Sequence, residues 1–120
     1  MKALSTCALF CFALLSPLVL AQQSQPRDNS LAASVAGTTW VGTDSSGRNY
    51  EYYFIPDGAL HYKSPTGFWT NGTWKQDGNV IYFEMNKKYS ERKGVIWGTH
   101  MEGKGWNKKG ETWTWVAEKK

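Results

Sequence analysis

The 120-residue sequence predicts an all-β chain, an antiparallel meander of seven to eight strands curling into a closed barrel. Three observations carry that prediction. From Thr39 to Val116 apolar and polar residues alternate in short runs, the period of a half-buried strand. Turn residues punctuate the runs, with Asp-Gly at Asp57-Gly58 and again at Asp77-Gly78, the strongest short hairpin signal. No span has the periodicity of a long helix. A two-sheet sandwich fits the same alternation less well, because no connection is long enough for a Greek-key crossover, and closure removes exposed edges.

The first 21 residues stand apart. Lys2, the apolar run Ala3 to Leu15, the helix-breaking Ser16-Pro17 and the small or apolar Val19-Leu20-Ala21 read as a secretory signal peptide cleaved after Ala21. The mature protein is then expected in the periplasm or secreted. An uncleaved membrane anchor is disfavoured by the single flanking charge and by the polar Gln22 to Gln25. A lipoprotein is disfavoured because Thr6 and Phe10 precede the cysteines. Cys7 and Cys11 leave with the signal, so the exported chain has no disulfide, no thiolate nucleophile and no cysteine-based metal site.

Residues 22–36 read as a flexible polar leader, in which Asn29 or Ser30 could cap a short helical turn bearing Leu31 and Val35. The barrel domain is expected over 37–120. Its strands are expected at Thr39 to Asp44, Asn49 to Ile55, Ala59 to Ser64, Thr70 to Gln76, Val80 to Asn86, Lys93 to Glu102 and Glu111 to Val116. Gly, Pro, Asp and Ser occupy most of the intervening turns.

After cleavage the chain keeps 12 aliphatic side chains (Leu, Ile, Val, Met) against 16 aromatic ones. The core is therefore aromatic, each ring burying about 150–250 Å². Alternation assigns Phe83, Met85, Trp97, Met101, Trp113 and Trp115 inward, joined by Tyr50, Tyr52 and Phe54, with Trp40 and Trp74 near the barrel ends. Such rings either fill the interior or line a site, since an eight-stranded barrel has room for side chains or for one small ligand. The candidate ligand-binding set is Trp40, Tyr52, Trp74, Phe83, Trp97, Trp113 and Trp115. Rigid rings with one polar handle suit an orienting pocket.

Catalytic and cofactor chemistry finds little support. His61 and His100 lie on different strands without metal-ligand spacing, and nothing supports haem through one of them, so no metal or cofactor is expected. Glu51, Glu84 and Glu102 fall on the polar side of their strands, where solvation accounts for them. Ser45 and Ser90 have no nucleophile elbow, and the chain reads as a non-enzyme. Asn71-Gly72-Thr73 matches a glycosylation sequon but reads better as a turn or bulge.

Charge is uneven. Residues 84–120 carry 9 basic and 5 acidic side chains, against 4 and 5 over 22–83. Lys87, Lys88, Lys108 and Lys109, with Trp106, form a candidate partner-binding rim, to which Arg92-Lys93, Lys104 and Lys119-Lys120 add charge. Solubility and edge protection explain such lysines, and so does steering of an anionic partner. Nucleic acid is a poor partner for an exported protein.

Gly37 and Trp40 after a short leader, the Asp-Gly hairpins, Gly72-Thr73-Trp74 and the late run Gly94, Ile96, Gly98, Met101, Gly103 resemble the lipocalin and avidin superfamily of up-and-down barrels, closest to small bacterial lipocalin-like exported domains. The resemblance spans about Gly37 to Ala117 and implies an eight-stranded barrel with a cavity open at one end. The chain departs from it in lacking a disulfide, in its shorter strands and in the polar contacts that avidins make to biotin, so biotin binding is not implied. Two functions fit. One is a binding protein holding a small apolar or aromatic ligand in an aromatic-lined cavity. The other is an inhibitor or immunity-type protein that engages an exported enzyme through rim loops and leader.

Overall fold

A computed structural model of the chain describes residues 32–120. The expected signal peptide, most of the leader, and the cap at Asn29 or Ser30 with Leu31 lie outside those residues. Eight strands follow in order: β1 (Thr39–Asp44), β2 (Asn49–Phe54), β3 (Ala59–Ser64), β4 (Gly67–Asp77), β5 (Val80–Met85), β6 (Ser90–Trp97), β7 (His100–Asn107) and β8 (Thr112–Lys119). Each pairs antiparallel with its chain neighbour, and β1 pairs with β8 from Trp40 opposite Lys119 to Asp44 opposite Trp115. The meander closes, as the alternation predicts, and no helix occurs among the described residues.

The meander sorts the loops between two ends. The β1–β2, β3–β4, β5–β6 and β7–β8 loops gather at one end, called the mouth below. The other three loops, the start of β1 and the end of β8 lie at the opposite end. There the last residues of the leader segment are built into the barrel rather than loose. Val35 is buried, and the Ala32 and Val35 amides donate to Asn79 Oδ1 (2.6 Å) and Gln76 Oε1 (3.0 Å). This segment stoppers the end opposite the mouth.

One expected strand divides into two. The segment Lys93 to Glu102 turns at Gly98-Thr99, with Trp97 paired to His100 across a two-residue loop and Gly98 at a φ of 59°. A two-residue turn reverses which positions point inward. On β6 the inward set is Arg92, Gly94 and Ile96, whereas on β7 it is Met101, Gly103 and Gly105. Trp97 therefore points outward and is 55% exposed, correcting its inward assignment. Met101 is inward as expected.

The interior is stacked in three levels. Trp40, Phe54, Leu60, Ile81, Ile96, Met101 and Ala117 fill the stoppered end with Val35. Tyr52, Phe83 and Trp115 cross the middle, with ring centroids 4.9 Å apart for Tyr52–Phe83 and 5.3 Å for Phe83–Trp115. Such edge-to-face pairs suit the aromatic quadrupole. Glycines make room for them: a Cβ on Gly42 would strike the Tyr52 ring, and one on Gly94 would strike both Trp115 and the Glu102 carbonyl. Large and small residues thus alternate around the wall, as a narrow barrel requires. The third level, at the mouth, is where polar groups enter.

Candidate functional site at the barrel mouth

The mouth is built around a buried arginine. Arg92, on the inward side of β6, is only 1% exposed. Its guanidinium lies against the rings of Tyr50 (4.8 Å to the centroid) and Trp113 (5.1 Å). Arg48 rests on the same Trp113 ring at 5.7 Å. A desolvated cation is stabilised by aromatic faces, and arginine is the residue best suited to such stacking. Tyr50 in turn stacks on Tyr52 with centroids 5.7 Å apart, joining this level to the filled middle one.

Asp44 supplies the counter-charge. It ends β1 and shapes the turn that follows: its Oδ1 accepts from the Ser46 amide (3.0 Å), the Ser46 hydroxyl (2.5 Å) and the Arg48 amide (3.1 Å). Its Oδ2 stands 3.4 Å from Arg48 Nε and 3.5 Å from Arg92 Nη2, ion pairs without good hydrogen-bond geometry. Burial pushes the Asp44 carboxyl up, but the bonds from Ser46 and Arg48 and the Arg48 charge outweigh it and hold the group below the ordinary aspartate value. Asp44 stays ionised.

The Arg92 donors are incompletely used. Nη1 reaches Met85 Sδ (3.8 Å) and Ser90 Oγ (3.3 Å), while Nε and Nη2 have no hydrogen-bond partner among the described residues. The indole Nε1 of Trp113 is likewise buried and unpartnered. Buried N–H groups are seldom left so, and each such group calls for an explanation. Here they belong to Arg92 and Trp113, which with Tyr50, Tyr62, Tyr89 and Arg48 wall a cavity of about 170 Å³ open at the mouth.

Its rim is cross-tied. β4 carries a bulge at Thr70-Asn71, where the register against β3 shifts between Leu60 and Tyr62, so the Asn71 segment is a bulge. Asn71 Oδ1 accepts from the Tyr62 hydroxyl (2.6 Å) and the Asn86 amide (3.1 Å). Asn86, Lys87 and Lys88 all adopt positive φ (56°, 53° and 69°), a costly conformation for side chains other than glycine. The Lys108 amide donates to the Tyr89 carbonyl at 3.0 Å, tying this loop to the next. Lys87, Lys88, Lys108 and Lys109 thus do share one end, with Arg48 and against Glu111 alone among the loop acids there. Lys104 stands on the outer wall and Lys119-Lys120 belong to the opposite end, so these three do not join them.

The aromatic residues expected to line a ligand site are scattered by the structure. Trp40, Tyr52, Phe83 and Trp115 are packed tight inside the barrel. Trp74 is half-buried away from the mouth, its indole donating to the Ile55 carbonyl at 2.8 Å. Trp97 is outside, and only Trp113 borders the cavity. Trp106 stands on the outer wall, its indole held by Glu91 Oε2 at 3.0 Å, beside the Tyr82 hydroxyl that donates to Glu91 and Glu84. Sequence reasoning missed Arg48, Asp44, Tyr62 and Tyr89 as site residues and took Arg92 for an exposed loop charge of the rim, whereas it is buried. The signal for Arg92 was its even spacing with Gly94 and Ile96, hidden by starting that strand at Lys93. No family model, curated protein or solved structure matches this chain, so its functional reading rests on its own geometry.

Proposed function

We propose that this is an exported, non-enzymatic binding protein that takes one small ligand at the barrel mouth. The carrying observation is the mouth cavity of about 170 Å³ whose wall includes Arg92 and Trp113, two side chains that carry buried N–H donors without partners among the described residues. The filled middle level argues against a ligand held deep in the barrel, so the aromatic-cavity reading moves outward to Tyr50, Tyr62, Tyr89 and Trp113. For scale, an engineered apolar cavity of about 150 Å³ holds a benzene molecule. The test is a thermal-shift panel of small aromatic and polar compounds. A ligand at about 100 times its Kd stabilises by about 2.7 kcal/mol, a rise of several degrees in a domain of this size. Ser90→Phe, which fills the mouth, should abolish that rise while the far-ultraviolet circular dichroism stays β-rich. A panel without any shift removes the reading.

A second reading, an inhibitor-type protein, is favoured by Phe68 and Trp69, which are 56% and 42% exposed at the start of β4 near the same rim. Phe68 extends an outer-wall patch with the rings of Tyr53 (centroids 6.0 Å apart) and His61 (6.1 Å), and exposed patches of this kind mark interaction surfaces. Phe68→Ser with Trp69→Ser would abolish partner binding while leaving a small-molecule shift intact.

A further inference from the structure

We infer that the ligand of the mouth is a small monocarboxylate of about benzoate size, seated with its carboxylate toward Arg92 and Trp113; this rests on the small-ligand reading above. The hydrogen-bond balance points to it. Among the buried groups without partners, three are donors (Arg92 Nε, Arg92 Nη2, Trp113 Nε1) and one is an acceptor, Asp44 Oδ2. That acceptor already lies 3.4 Å and 3.5 Å from two arginines, so the surplus is of donors. A ligand must bring oxygens, not hydrogens, to satisfy it.

Charge points the same way. Asp44 offsets one of the two arginines and leaves the other uncompensated. Around them the loops present Lys87, Lys88, Lys108 and Lys109 against Glu111, which is occupied by the Asn107 side chain (2.7 Å). A monoanion meets a positive field on approach and, in the cavity wall, a buried guanidinium whose Nε and Nη2 have no hydrogen-bond partner among the described residues. A small shift of that side chain would turn those donors to the ligand, where charge-assisted hydrogen bonds are strongest. Size sets the remainder of the molecule. A cavity of about 170 Å³ exceeds what a bare inorganic anion fills, and its tyrosine, tryptophan and Met85 walls suit a short apolar body behind the carboxylate.

The experiment titrates the purified protein with benzoate, with its neutral isostere benzamide and with inorganic phosphate, following the indole N–H signals by nuclear magnetic resonance. Benzoate is expected to bind at least about tenfold more tightly than benzamide and to shift the Trp113 indole selectively among the seven. Its association should slow as salt rises. Arg92→Gln should bring benzoate and benzamide to equal affinity. Should that variant not fold, Trp113→Phe keeps the ring, deletes the N–H and should weaken benzoate selectively. Equal affinities in the native protein would overturn the carboxylate and leave the mouth site standing. No binding of any of the three would overturn both. Phosphate binding more tightly than benzoate would assign the donors to an inorganic oxyanion and overturn the carboxylate as well.

Discussion

Asp44 does two jobs with one carboxylate, and they are separable by substitution. One oxygen holds the β1–β2 turn together and the other faces Arg48 and Arg92. Breaking a buried ion pair from one side costs about 3–5 kcal/mol, because the remaining charge is stranded. Asp44→Ala strands Arg92 and also loosens the turn, whereas Arg92→Met leaves Asp44 with the Arg48 charge and its turn bonds. Asp44→Ala should therefore be the costlier change in urea denaturation, with the double variant less destabilised than the sum. At the other end, His100 is gripped by Glu118 and by Glu102 (3.1 Å), and those bonds raise its pKa above the ordinary histidine value. A raised folded pKa contributes stability that is full below about pH 6.5 and lost as pH climbs through the raised value. Between those two points native stability should fall with rising pH, and His100→Gln should flatten that slope in denaturation curves taken across it.

Strands β6 and β7 show how packing and legibility meet in one hairpin. Gly94 and Gly103 face each other across it, so close that a Cβ on Gly94 would meet a backbone oxygen that cannot step aside. Gly94→Ala should destabilise by about 1–3 kcal/mol, the range for overpacking, read from the midpoint of a denaturant titration. Around the same hairpin, Trp115 of β8 packs on its inner face against Gly94 and Trp97 lies on its outer face. Trp115→Ala should cost about 3–5 kcal/mol, and Trp97→Ala, on the outer face, about 0.5 kcal/mol or less. The Asp57-Gly58 and Asp77-Gly78 hairpins were legible because those residues favour the turn backbone itself. The Gly98-Thr99 turn was not, because apolar residues flank it and the alternation runs on without a visible break. Its parity reversal then carried Trp97 to the wrong face, while Arg92 was lost separately, because the strand was started at Lys93 instead of Ser90. The mouth was illegible for a related reason: no local pattern says that Asp44, Tyr50, Arg92 and Trp113, drawn from four strands, end at one level.

On the scale of the whole molecule, closure fixes where everything else falls. Once eight strands alternate direction, lysines in the β5–β6 and β7–β8 loops must share an end, while the terminal lysines must lie at the other. The seven strands expected from the sequence would have put Lys87-Lys88 and Lys108-Lys109 at opposite ends, so their shared rim follows only once the turn at Gly98-Thr99 makes the count eight. The seam between β1 and β8 carries a consequence for how the chain can be rewired. The Lys120 amide donates to the Thr39 carbonyl at 2.8 Å, so the two ends of the barrel are near neighbours, away from the mouth. Chain order is then incidental to the ring. A circular permutant that joins Lys120 through a short glycine-serine linker to Ala32 and opens at Gly98-Thr99 alters no mouth loop. It should fold to the same barrel, with a native-like near-ultraviolet spectrum and unchanged ligand affinity, and a permutant cut instead between Lys87 and Lys88 should fold yet lose the ligand.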